Sequence, residues 1–439
     1  MTALVVGLER SGLASLELLK ERGAILKATD SRPLSAMPKA AEVLERLDVP
    51  FEPQSPRAFE GCDWIVLSPG VPADLEPVEA ARRRGVKVMG EVELAGMYLK
   101  GKTIGITGSN GKTTTTALVG HILAESGIPA QVGGNIGAAA TAMVATSRPD
   151  QWNVLELSSF QLETISGFRA DIAVCLNVTP DHLDRHHTLE AYAAAKSRLF
   201  ETQRPDDYAV LNADDAFCVG YSATTRGKTL WFSLTRAVTP GVWLDDGRVW
   251  FDGEPLMGAA EIPIRGRHNI ENTMAAAGAA RLAGAQLADI ARGVRSFRAV
   301  EHRLEFVRRA RGVDYYNDSK ATNVDATLKA LDAFEGGLWV VLGGEDNSFD
   351  YTVLAPSLRK KAHSVLLIGA AAPKIAGQLK DVAPLIFSGT LEAAIGAAYA
   401  REQAGDTVLL APACKSFDQF ENYEHRGRVF KEIVGALED

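Results

Sequence analysis

An α/β fold of three domains in series is predicted by three observations on the 439-residue chain. A glycine-rich turn, Gly105-Ile106-Thr107-Gly108-Ser109-Asn110-Gly111-Lys112-Thr113-Thr114, lies between a strand pattern over 102–107 and a helical pattern over 113–124. Short apolar runs alternate with helical periodicity before residue 92. The same alternation returns after residue 300, which places the domains at 1–92, 93–299 and 300–439.

In the first block, strands over 3–6, 25–29 and 64–67 separate helices over 14–21 and 39–47, a Rossmann-like βαβ layout. The turn after the first strand is Gly7-Leu8-Glu9-Arg10-Ser11-Gly12. It has the outer glycines of a dinucleotide fingerprint, but Glu9 puts a carboxylate and a Cβ where backbone should approach pyrophosphate. That argues against NAD or FAD, although Asp30 lies at the usual distance beyond. The helix start still suits another phosphorylated ligand. Arg32 and Ser68-Pro69-Gly70 follow the next two strands, so they fall at the same carboxyl edge, where ligands bind.

The central block carries the glycine-rich turn. Backbone amides there point inward, Lys112 neutralises terminal phosphates and a threonine hydroxyl reaches Mg²⁺. A strict Walker sequence needs a glycine where Ile106 stands, so the turn is the shorter T-G-x-x-G-K-T-T form. That form points to amide ligases that activate a carboxylate with ATP. Strands over 154–157 and 172–176 and a helix over 189–200 complete a P-loop-type ATP-binding domain. Glu156 ends one strand, placed to hold Mg²⁺ directly or through water. His182, His186 and His187 follow the other, but their spacing lacks cysteines and a second ligand pair, which argues against zinc. Alternation over 242–251 predicts an appended β-hairpin, and a helix over 270–283 and the segment 289–296 close the block. The last block, again Rossmann-like, has strands over 338–342, 364–368 and 407–410 and a final helix over 428–437.

Composition narrows the function. A net charge of -8 and a pI near 5.6 disfavour nucleic-acid binding. The four cysteines, Cys62, Cys175, Cys218 and Cys414, form no C-x-x-C pair, which fits a reducing cytoplasm better than a disulfide framework or zinc site. No export signal is visible, and no apolar run approaches the roughly 20 residues that span a bilayer.

The turn over 107–114 and Glu156-Leu157-Ser158-Ser159-Phe160-Gln161-Leu162 resemble the Mur ligase family of ATP-dependent amide ligases. Gly133-Gly134-Asn135-Ile136-Gly137, Asp318-Ser319-Lys320-Ala321-Thr322-Asn323, Pro412-Ala413-Cys414-Lys415-Ser416-Phe417-Asp418-Gln419-Phe420 and Glu424-His425-Arg426-Gly427 extend the resemblance over all three domains. They look like the members that add D-glutamate, and the D-N-P-R motif of the diaminopimelate-adding relative is not seen.

The resemblance implies that Arg10, Ser11, Ser31, Arg32, Ser68, Pro69 and Gly70 bind the uridine diphosphate of UDP-N-acetylmuramoyl-L-alanine. Asn135, Ser158, Gln161 and His182 would line the rest of that substrate's path. ATP would be held by Gly108, Ser109, Asn110, Gly111, Lys112, Thr113, Thr114 and Thr115, with Asn269, Asn272, Arg303 and Asp318 reaching it from farther along the chain. Two Mg²⁺ ions, replaceable by Mn²⁺, would sit on Thr113, Glu156, His182 and Lys196, the last as a carbamate. Lys112, His182, Lys196 and Lys320 carry the catalytic assignments. D-glutamate would meet Thr322, Asn347, Lys415, Ser416, Phe417 and Tyr423. The implied enzyme is a cytoplasmic monomer of peptidoglycan precursor synthesis that works through an acyl phosphate.

Two positions stand apart. Lys196 ends the helical run Tyr192-Ala193-Ala194-Ala195, where a lysine is ordinarily solvated; as a carbamate it would instead be an anion able to bind metal. Relatives place a lysine in a G-G-x-D-K segment against the D-glutamate carboxylate, whereas here Gly343-Gly344-Glu345-Asp346-Asn347 is neutral at its end. Lys415 either replaces that charge or is a solvated surface lysine. Another ligase on the same scaffold, such as a folylpolyglutamate synthase or a different Mur step, is the first alternative. A regulatory nucleotide-binding protein is the second, disfavoured by the presence of Glu156, His182 and Lys196.

Overall fold

A computed structural model describes residues 1–298, 300–346 and 349–438, with the main chain alone at 184. Among the described residues the strands form three sheets, of four, nine and six strands. The chain makes two compact units: Met1–Ala259 with Glu271–Val294, and Ala260–Ile270 with the chain from Arg295 onward.

The four-stranded sheet is wholly parallel, ordered Ile25–Thr29, Thr2–Val6, Trp64–Leu67, Lys87–Gly90. The last of these strands gives no apolar run in the sequence, because Lys87-Val88-Met89-Gly90 has only two apolar side chains between a lysine and a glycine. Parallel strands need both faces covered, and Leu4, Val6, Ile65 and Leu67 are buried on one side while Ala3, Val5 and Val66 are buried on the other. The helix Glu91–Gly96 then leads into the nine-stranded sheet. Two carboxylates fasten it there: Glu91 accepts from the Thr141 amide and hydroxyl at 2.6 and 2.8 Å, and Glu93 accepts from the amides of Ser166, Gly167 and Phe168.

The nine strands run Glu254–Gly258, Arg248–Phe251, Gly241–Asp245, Lys228–Ser233, Tyr208–Asn212, Ile172–Cys175, Lys102–Thr107, Trp152–Glu156, Ala130–Gly134. The expected hairpin is present, with Trp243 opposite Trp250, but it continues into a third antiparallel strand and joins the main sheet by a parallel pairing to Lys228–Ser233. The strand Lys102–Thr107 is interior, between Ile172–Cys175 and Trp152–Glu156, and the helix Lys112–Glu125 that follows it buries Leu118, Val119, Ile122 and Leu123. Full burial of each such side chain contributes roughly 1.5–3 kcal/mol, so the turn between strand and helix is held at both ends.

In the second unit, Glu305–Ala310 pairs antiparallel with Val313–Asn317. Parallel strands Thr407–Leu410, Leu338–Gly343, Ala362–Ile368 and Leu385–Gly389 complete that sheet. The final helix spans Tyr423–Gly435 and begins five residues before the expected 428, because the Asn422 side chain caps it by accepting the His425 amide at 2.7 Å. Its first turn, Tyr-Glu-His-Arg, shows no apolar periodicity although Arg426 is fully buried.

Candidate active site

At the carboxyl edge of the four-stranded sheet, a cavity of about 580 Å³ takes its lining from three loops of that sheet. Arg10, Ser11, Ser31 and Arg32 line it, and so do Ser68, Pro69, Gly70 and Asn135. The sequence-predicted uridine diphosphate residues are thus brought together. Gly12 lets the turn close: a Cβ there would lie 1.9 Å from the Gly7 carbonyl oxygen. Asp30 is occupied structurally, accepting the Leu8 amide at 2.7 Å and the Arg32 amide at 3.0 Å. Those bonds and the Arg32 guanidinium outweigh burial and hold its carboxyl below the usual range. Arg10 crosses to the Asn135 carbonyl at 3.1 Å, joining this cavity to the nine-stranded sheet.

In the glycine-rich turn, Lys112 donates to the carbonyls of Gly108 and Ser109, each at 2.8 Å. Asn177 braces the loop, accepting the Asn110 amide on its side-chain oxygen at 2.9 Å and donating back to the Asn110 carbonyl. Gly111 has φ +86°, and a Cβ on it would sit 2.2 Å from Asn272 Oδ1. Ser109, Asn110, Thr113, Thr114, Thr115 and Asn272 are all buried there.

Lys196 corrects the solvated-lysine expectation. Its helix runs on to Glu201, and Lys196 falls on the buried face with Tyr192, Ala193, Leu199 and Phe200, only 1% exposed. Its ammonium donates to the Gly108 carbonyl at 2.9 Å and lies 4.3 Å from the Tyr192 ring centroid. Burial, helped by the Lys112 charge, lowers its pKa from 10.5 to about 7. Near neutral pH much of it is a free amine, the form that can add CO₂.

Glu156 ends its strand 1% exposed, and Asn135 donates to its Oε1 at 2.8 Å. Ser158 and Gln161 form a reciprocal capping box at the start of the next helix, so both have a local structural role. His182 has a left-handed backbone, with its ring 4.8 Å from Phe160 and a half-exposed side chain near Asp181. His186 is buried between Ser159 and Glu163, and burial lowers its pKa. It is a packed histidine. Thr113 and Glu156, both buried, offer oxygen donors of the kind that Mg²⁺ or Mn²⁺ takes. Among the described residues, clustered ligand atoms occur instead at Glu301, His302 and Glu305. There Lys431 already bonds both carboxylates, at 2.7 and 2.8 Å.

In the second unit, Asp318 is buried and accepts the Leu304 amide at 3.3 Å. Burial raises its pKa to about 6, against the opposing pull of Arg303. Asn269 donates to the Arg265 carbonyl at 2.6 Å. Lys320 lies 5.2 Å from the Tyr423 ring centroid. Lys415 is exposed and its backbone pairs with Glu345, which sets it beside the Gly344-Glu345-Asp346 strand end. Asn347 lies outside the described residues. Ser416 is buried, Phe417 is 64% exposed, and Thr322 and Tyr423 are partly buried.

Arg426, in the Glu424-His425-Arg426-Gly427 motif, has a structural role. It donates to Ser319 Oγ at 3.0 Å, to the Ser319 carbonyl at 2.8 Å and to the Cys414 carbonyl at 3.2 Å. It therefore ties together the two segments that carry Lys320, Thr322, Lys415 and Ser416. Burial lowers its pKa to about 10, so it remains a cation at neutral pH. No local signal could have found this, since its partners lie up to 107 residues away.

Comparison with known proteins agrees with this layout. Residues 1–90 match the Mur ligase MurD-like N-terminal domain, 106–280 the Mur ligase middle domain and 302–414 the Mur ligase glutamate ligase domain. The UDP-N-acetylmuramoylalanine–D-glutamate ligase of Solibacter usitatus is 63% identical, covering 99% of this chain and 98% of its own. That of Acidobacterium capsulatum is 49% identical, covering 99% and 96%. Among solved structures, the UDP-N-acetylmuramate-alanine ligase MurC of Thermotoga maritima shares the fold with a TM-score of 0.63 at 19% identity, over 99% of both chains. MurF ligase of the same organism, in complex with ADP, gives 0.62 at 19% identity over 85% and 90%. By its sequence relatives, its domain matches and its fold, the chain belongs to the Mur ligase family.

Proposed function

We propose that the chain is an ATP-dependent ligase that joins D-glutamate to the alanyl carboxylate of UDP-N-acetylmuramoyl-L-alanine, in peptidoglycan precursor synthesis. The observation that carries this reading is the convergence of Lys112 and Lys196 on one carbonyl, that of Gly108, at 2.8 and 2.9 Å. One lysine meets phosphate charge, and the other can become a metal-binding carbamate beside it. The same unit holds a cavity suited to uridine diphosphate.

A carboxylate and an amine do not condense appreciably in water, so the carboxylate must become an electrophile. The alanyl carboxylate attacks the γ-phosphorus of ATP in line, giving an acyl phosphate and ADP. Lys112 and the loop amides offset charge on the transferring oxygens. The free amine of D-glutamate then attacks the acyl carbon, and phosphate leaves with the bonding pair. Thr322, Ser416, Phe417, Tyr423 and Lys415 hold the amino acid for that attack, and Asn269, Asn272, Arg303 and Asp318 hold the nucleotide. Mg²⁺, when bound, neutralises phosphate charge, and Thr113, Glu156, His182 and carbamylated Lys196 would hold it. A cytoplasmic location fits, as no helix among the described residues is long and apolar enough to cross a membrane.

Phosphate release, measured with the UDP-muramoyl substrate, ATP, Mg²⁺ and a panel of amino acids of both hands, tests the reading. D-glutamate is expected to trigger release. Another amino acid doing so in its place would favour a different ligase, and no ADP with any acceptor would refute ligation.

A further inference from the structure

The turn at Glu9 departs from the dinucleotide fingerprint, and the structure shows what the substituted side chain does. Glu9 Oε1 accepts from Arg32 Nη1 at 2.6 Å, and both residues line the 580 Å³ cavity. Arg32 already has a counter-ion, because Asp30 meets its Nε at 3.1 Å and its Nη2 at 3.2 Å. Asp30 is buried and fixed by backbone amides, whereas the Glu9 side chain is 73% exposed and makes no helix-capping bond. Of the two carboxylates on this guanidinium, one is built in and the other can swing out.

Glu9 also stands where an anion would be received. The helix Arg10–Glu21 makes its first backbone bond from Leu13 to the Glu9 carbonyl, so the amides of Arg10, Ser11 and Gly12 lie ahead of the ladder at its positive end. With Glu9 in place, the cavity's two carboxylates balance its two guanidiniums, Arg10 and Arg32. With Glu9 turned away, the balance becomes positive and Arg32 Nη1 is freed while Asp30 still holds the rest of the guanidinium.

We propose that Glu9 is an internal stand-in for substrate phosphate: its carboxylate holds Arg32 in the ligand-free enzyme, and a nucleoside diphosphate must displace it to bind. This rests on the uridine diphosphate reading of the cavity and adds a determinant of its affinity. Because substrate and product carry the same uridine diphosphate, Glu9 weakens both and hastens product release.

Calorimetric titration of the full chain with UDP and with uridine tests this, on the wild type, Glu9→Gln, Arg32→Met and the double variant. Removing one like charge near a solvated diphosphate is expected to tighten UDP about threefold to thirtyfold in Glu9→Gln. Uridine, which has no phosphate, should change little, and the gain should shrink when Arg32→Met is also present. Unchanged or weaker UDP binding in Glu9→Gln overturns the proposal, as does an equal gain for uridine or an equal gain without Arg32. If wild type and variants all fail to bind UDP, the reading of the cavity fails as well. Wild-type binding with no gain in Glu9→Gln overturns the stand-in alone.

Discussion

The Lys196 ammonium and the Gly108 carbonyl, 88 residues apart, meet at 2.9 Å and fix a buried amine against the phosphate loop. The carbamylation reading depends on this contact, because it sets an amine of lowered pKa beside the site where nucleotide charge would gather.

Lys196→Ala is expected to abolish ligation, and added formate or acetate to restore part of it by standing in for the carbamate. Activity that stays absent across a range of small carboxylates would remove the carbamate role.

The same lysine has a measurable effect on stability. Its folded pKa of about 7 lies below the unfolded 10.5, so between those values the unfolded chain binds the extra proton and stability rises with pH. Below pH 7 the cost of burying the charge is present in full. Lys196→Met should therefore melt at a higher temperature than wild type near pH 7, and the gap should narrow toward pH 10. Melting curves at several pH values check this; a gap that widens with pH contradicts it.

Arg426→Met should leave the carbonyls of Ser319 and Cys414 without their donor, at roughly 1–3 kcal/mol for each buried group. Arg426→Lys keeps the charge but cannot span both segments. In Arg426→Lys the KM for D-glutamate is expected to rise more than that for the UDP substrate. Equal effects on both would make Arg426 a general stabiliser only.

For Lys415, the expected signature is confined to one substrate. Lys415→Ala should raise the KM for D-glutamate about tenfold, the worth of one charge-assisted contact. An unchanged KM would leave Lys415 a surface lysine.

Gly111→Ala tests the loop geometry. The new Cβ would meet Asn272 Oδ1 at 2.2 Å in a backbone region that L residues rarely adopt. A destabilisation of about 1–3 kcal/mol is expected, with weaker ATP binding. Denaturation and nucleotide titration read the two effects separately.

Much of the fold was legible because periodicity and punctuation are local. The strand Lys102–Thr107 and the strand Thr407–Leu410 stand where apolar runs placed them, and glycines marked the turns at Gly12 and Gly111. The strands Lys87–Gly90, Ala130–Gly134, Tyr208–Asn212, Lys228–Ser233, Glu254–Gly258, Glu305–Ala310, Val313–Asn317 and Leu385–Gly389 escaped, being short or interrupted by charged, polar or glycine residues. That Arg32 and Ser68-Pro69-Gly70 line one cavity was visible because strand ends in a parallel sheet share one edge. The burial of Lys196 was not, since a lysine after three alanines carries no mark of which face it will present.

The sequence by itself determined three α/β blocks, the phosphate loop and family membership, because each is encoded in contiguous residues whose chemistry is fixed by spacing. Only the tertiary structure decided that Lys196 is buried on Gly108, that Arg426 ties the Ser319 and Cys414 segments together and that Glu9 holds Arg32. Those facts depend on which distant groups share a low-dielectric environment, and that is settled when the chain packs.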